Sequence, residues 1–125
     1  MRPIKFRIWD KINSEWSRTA HLSPIYGLEI FSQHDNGIIP LQFTGLLDKN
    51  GREIYEGDII LSDYYSVARD KYEKNKDVVV FQNGCFIAKY YKLWQNEQNG
   101  GAMILDRRDI EVIGNIFENR DLIIN

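Results

Sequence analysis

The sequence predicts a mostly β protein: a small SH3-like barrel with an additional N-terminal β-hairpin region and little helix. Three observations point there. Several short runs alternate apolar with polar residues, the period of a half-buried strand. Asn-Gly pairs at 50–51 and 83–84 sit between extended runs, where tight reversals demand residues that tolerate positive φ. The core-forming inventory is aromatic and β-branched, with three Trp, seven Tyr and six Phe among 125 residues, and such side chains pack well on pleated surfaces.

The elements follow in order. "IKFRIWD" alternates, with Ile4, Phe6 and Ile8 on one side and Lys5, Arg7 and Trp9 on the other. "DKINS" turns the chain and "EWSRT" returns as the hairpin partner. Residues 19–40 are broken by Pro24, Gly27, Gly37 and Pro40, with room for a short strand in "PIYGLEIFSQ". "LQFTGLL" alternates again, with Leu41, Phe43 and Gly45 on one face, and "DKNG" reverses it into "REIY". "EGD" punctuates the chain before "IILSDYY", a strand-like run. "SVARDKYEKNKD", residues 66–77, is polar and fits a short helix or a loop. "VVVFQ" and "CFIAKYY" flank the second Asn-Gly pair as a hairpin, and "QNEQNGG" is a polar loop. "AMIL" and "IEVIGNIF" supply two further extended runs, and "ENRDLI" a closing helical turn with Asn119 as its cap. This divides the chain into an N-terminal β region, residues 1–53, and a barrel region, residues 54–125, either as two lobes or as one compact unit.

Composition limits function. Net charge is −2, so no global basic field draws the chain onto nucleic acid. The charge is uneven: residues 10–63 hold nine acids and four bases, residues 64–94 six bases and three acids. Cys85 is alone, which rules out an internal disulfide and favours a reducing compartment. "MRPIKFRIWDK" lacks the apolar run of a signal peptide, and no stretch approaches a membrane helix. The expectation is a soluble cytoplasmic protein with no membrane association.

Glu53, Glu56 and Asp58 raise the question of an acid/base pair or an oxygen-ligand metal site. Turn chemistry explains them more simply. Gly57 supplies a backbone conformation costly to other residues, and Asp58, next along, accepts bonds from nearby backbone N–H groups. Asn50, Gly51, Gly57, Asp58, Asn83 and Gly84 are therefore structural turn residues. Cys85 reads as a small apolar strand residue, since His21 and His34 lie in the poorly patterned segment and give neither a base nor zinc spacing. No catalytic residue, metal ligand or cofactor is assigned. Nucleic acid keeps one candidate surface: Lys89 and Lys92 interleave with Tyr90, Tyr91 and Trp94, a pattern in which bases stack on rings while lysines meet phosphates. Arg69, Lys71, Lys74 and Lys76 add cations nearby. Strand alternation accounts for the same pattern with the rings in the core.

"KFRIWDK", "LQFTGLLDKNGREIYEGDII", "VVVFQNGCFIAKY" and "IEVIGNIFEN" together resemble the YopX family of small phage and prophage proteins, in the family's order and over nearly the whole chain. The resemblance implies a mostly β fold and expression inside a bacterial host, and it implies no reaction. The expected role is therefore protein interaction or self-assembly, as a homo-oligomer or with a phage or host protein, because strand edges in so small a β fold need covering. A nucleic-acid-binding accessory role is the alternative.

Overall fold

A computed structural model describes residues 4–21, 37–82, 84–90, 102–104 and 109–124. β1 (Lys5–Asp10), β2 (Glu15–His21), β3 (Ile38–Leu47) and β4 (Glu53–Tyr55) form one antiparallel sheet in the order β2-β1-β3-β4. β5 (Asp58–Ser66), β6 (Lys71–Gln82), β7 (Cys85–Tyr90), β8 (Ala102–Ile104) and β9 (Glu111–Asn115) form a second, in the order β8-β7-β6-β5-β9, and α1 (Asp121–Ile124) closes the chain. The fold is mostly β and barrel-like, with one four-residue helix among the described residues.

The second sheet is buried on both faces near its centre. Ile59 and Ile60 are adjacent, point opposite ways and are both fully buried, as are Val78, which pairs with Ile59, and its neighbour Val79. One face packs Ile60, Val79, Ala88 and Val112 against Ile54 of β4. The other packs Ile59 and Val78 against Ile123 of α1. This is why the runs "II" and "VVV" are continuous and not alternating. Each such side chain contributes about 1.5–3 kcal/mol by leaving water.

Two sequence expectations change here. Residues 66–77 form neither a helix nor a mere loop. Val67–Asp70 is a turn, and β6 begins at Lys71, paired with Ser66 of β5. Asp70 takes positive φ (52°), and the polar composition is satisfied by pairs across or within the hairpin, Lys74 with Asp63 (3.3 Å) and Arg69 with Glu73 (2.9 Å). A charged hairpin and a charged helix have similar composition; cross-strand pairing decided between them. The alternation of β1 is also incomplete. Trp9 is buried along with Phe6 and Ile8, while Ile4 is exposed, because aromatic residues cover Trp9 from the other side. The expected strand within 19–40 and the loop at 95–101 lie largely outside the described residues.

Candidate functional site

The site with the densest chemistry is the corner where β4 passes into β5. Gly57 has φ +86°, and its N–H donates to the Val79 carbonyl (2.8 Å) while its carbonyl accepts from Ile116 N–H (2.9 Å). A Cβ here would meet Phe117 Cε2 at 3.3 Å. Gly57 thus lets the chain pass close to the C-terminal segment, in a conformation only glycine adopts without strain.

Asp58 follows, 1% exposed. Its carboxylate accepts from Tyr55 N–H (2.8 Å) and ion-pairs with Arg7 of β1. The Arg7 guanidinium lies 4.2 Å from the Trp16 ring centroid and 4.8 Å from that of Tyr55, a cation–π sandwich. Burial pushes the Asp58 carboxyl above its ordinary pKa, against the opposing pull of Arg7 and the Tyr55 N–H. Glu53 ion-pairs with Lys5, which it holds above the ordinary lysine value, and accepts from Tyr55 Oη (3.3 Å). Glu56 Oε1 accepts from Gln42 N–H (3.3 Å). Each of the three carboxylates thus has a partner within the fold, and among the described residues no group of three or more His, Cys, Asp or Glu is arranged to hold a metal.

Beside this corner lies an aromatic cluster. Trp9 stacks on Phe117 (5.4 Å between centroids) and meets the edge of Trp16 (4.9 Å). Trp16 Nε1 donates to Glu118 Oε1 (2.6 Å), to which Asn115 Nδ2 also donates (3.0 Å); these two bonds hold Glu118 below its ordinary pKa. The N-terminal hairpin is thereby fastened to the segment "GNIFEN". Asn119 caps no helix: its Oδ1 accepts from Asn115 N–H (3.1 Å), turning the chain back on itself.

The turn residues are placed as follows. Gly51 has φ +81° and donates its N–H to the Asp48 carbonyl (3.0 Å). Asn50 is not among the positive-φ residues, so the reversal is a four-residue turn, Asp48 to Gly51, whose last residue is the left-handed glycine, not a two-residue Asn-Gly turn. Gly84 has φ +81° between the paired Gln82 and Cys85, and Asn83 lies outside the described residues. Cys85 is exposed at the start of β7 instead of packed as a small apolar residue. His34 lies outside the described residues.

Of the nucleic-acid candidates, Lys89 is 2% exposed, with Nζ donating to Gln82 Oε1 (3.4 Å). Tyr90 ends β7 opposite Asp77, and Tyr91, Lys92 and Trp94 lie outside the described residues. Of these five, only the Lys89 side chain falls among the described residues.

Sequence reasoning missed Asp48. It is 7% exposed; Oδ1 accepts from Asn50 N–H (2.9 Å) and Arg52 N–H (2.8 Å), and Oδ2 from Val112 N–H (2.9 Å) of the second sheet. Burial raises its pKa, but the three backbone donors outweigh burial and hold it below the ordinary value. An Asp opening an Asn-Gly turn signals the two local bonds; nothing in sequence signals Val112. Arg7 likewise shows in sequence only as an outward strand residue, with nothing to mark Asp58 as its partner.

The chain resembles known proteins in fold and family. The crystal structure of protein EF1440 from Enterococcus faecalis superposes with a TM-score of 0.58 at 24% identity, covering 96% of this chain and 97% of that one; at that identity the likeness concerns the fold. No curated protein matches. The model of the YopX protein family matches residues 5–124, taking in the Arg7–Asp58 corner, the Asp48 turn and the "GNIFEN" segment. The chain is therefore a member of the YopX family.

Proposed function

We propose that this protein is an interaction module, phage- or prophage-encoded and working in the bacterial cytoplasm, whose second sheet serves as an SH3-like platform for other protein chains. The observation that carries this reading is the end of the β5–β6 hairpin. Val67 is 87% exposed and Tyr72 76%, at the far end of the longest strand pair from the buried centre of the sheet. Large apolar groups exposed at the surface are characteristic of binding sites. The hairpin's cations support protein over nucleic acid: Lys74 and Arg69 face carboxylates, and Lys76 Nζ donates to the Leu122 carbonyl (3.1 Å).

The test is affinity capture of the tagged chain from its bacterial host, with Val67→Ser/Tyr72→Ser as the control, alongside anisotropy with short single- and double-stranded oligonucleotides. Partners lost in the variant, with no oligonucleotide bound at low salt, are expected. Salt-sensitive oligonucleotide binding that survives in the variant overturns the reading.

A further inference from the structure

We infer that Lys89 is the cationic end of a binding site for a small monocarboxylic acid, built on the second sheet beside the β6–β7 reversal, at the opposite end of β6 from Tyr72. Lys89 is 2% exposed. It pairs with the fully buried Val78, so its side chain lies on the face that packs Ile59 and Val78 against Ile123. Among the described residues its ammonium joins no ion pair. Its one hydrogen bond there goes to a neutral amide: Gln82 Oε1 lies 3.4 Å away, beyond the usual N–H···O range.

A lysine on a sheet surface normally carries its ammonium out to water along its flexible stem. Lys89 keeps its charge inside, with three donors and one distant neutral acceptor. A buried charge without a counterion is costly, and an anion at Nζ removes that cost. The surroundings select the class of anion. Lys76 shares this face, but its Nζ is given to the Leu122 carbonyl (3.1 Å), and it stands six residues, about 20 Å, along β6 from Gln82. A single ammonium therefore meets the ligand. One positive charge balances a monoanion, whereas a dianionic phosphate would carry excess charge into the same apolar setting. Val80 and Ile87 face each other between Lys89 and Gln82, both half-buried, and supply apolar contact for a short hydrocarbon body. Gln82 is itself half-buried and paired with the exposed Cys85, so rotation of its side chain opens the ammonium to solvent at the end of the hairpin. The incoming carboxylate replaces a neutral acceptor with a charged one, which makes the stronger hydrogen bond.

The experiment is urea unfolding of the full chain at neutral pH in sodium chloride, sodium butyrate or sodium phosphate of matched ionic strength, with the butyrate dissociation constant taken from calorimetric titration. At butyrate ten times that constant, the unfolding equilibrium constant of the wild type is expected to fall about elevenfold, because ligand binds the folded chain alone. Phosphate is expected to leave it where chloride does. Lys89→Met and Lys89→Gln are both expected to lose the butyrate effect, the second while keeping a hydrogen-bonding group at the position. In chloride Lys89→Met is expected to be at least as stable as the wild type, since it removes a buried charge that lacks a counterion. Absence of a butyrate effect on the wild type, the same effect in either variant, or equal effects of phosphate and butyrate overturns the inference. So does a Lys89→Met chain less stable than the wild type in chloride, the mark of a lysine that serves the fold alone.

Discussion

Asp48→Ala is expected to destabilise the fold by about 3–5 kcal/mol, and the structure shows where the loss arises. The carboxylate ties the turn between β3 and β4 to β9 through three backbone donors. Asn50 and Arg52 are exposed, so their N–H groups find water when the carboxylate is removed. Each loses only the net worth of a bond to a charged acceptor, at the lower end of about 1.5–3 kcal/mol. Val112 is buried, so its N–H is left without a partner, a further cost of roughly 1–3 kcal/mol. Part of the sum is recovered as the turn relaxes and the charge is no longer buried. Asp48→Asn keeps one acceptor oxygen and is expected to fall between wild type and Asp48→Ala. Urea unfolding at pH 7 with a common m-value measures both. A loss under about 1 kcal/mol for Asp48→Ala, or equal losses for the two variants, refutes the assignment of Asp48 as the link between the sheets.

The remaining expectations use the same geometry. Gly57→Ala should cost more than Gly51→Ala: both adopt positive φ, a strain of roughly 1–2 kcal/mol, but only the Gly57 methyl meets Phe117, while that of Gly51 meets open space; equal melting temperatures for the two variants count against the corner as described. Arg7→Met should cost about 3 kcal/mol by leaving the Asp58 carboxylate buried without its cation, and adding Asp58→Asn should recover part of that loss; a double-mutant cycle with coupling below about 0.5 kcal/mol would show the pair to be incidental. Acid should weaken the fold through Asp48 and Glu118, whose folded pKa values are lowered: their contribution is complete above the ordinary values of 3.8 and 4.5 and is lost as pH falls through the folded values. Asp58, raised, acts in the opposite sense, since its penalty for ionisation disappears as pH falls toward 3.8. Asp48→Asn should therefore flatten the acid limb of stability against pH, and an unchanged limb would contradict this.

Strand identity was legible because it depends on neighbours in sequence. Alternation marked β1 and β3, β-branched runs marked β5 and β6, and glycines at 51, 57 and 84 marked three reversals, since positive φ is a local steric requirement that few residues meet. Short range also set the limits of that reading. The segment 66–77 has a composition shared by helices and hairpins, and only the strand opposite it settled which one formed.

The sequence by itself determined the mostly β class, the main turns and the family. The tertiary structure decided what the polar residues do. Arg7 and Asp58 are 51 positions apart, and Asp48 and Val112 are 64 apart. A charge written in a polar stretch looks solvent-facing until the fold brings its partner to it. Lys89 shows the same from the other direction: its place between aromatic residues suggested a surface for nucleic acid, and burial against the sheet left its ammonium bonded to Gln82. Burial and long-range pairing are properties of the packed chain, because desolvation depends on everything within a few ångströms and not on sequence neighbours.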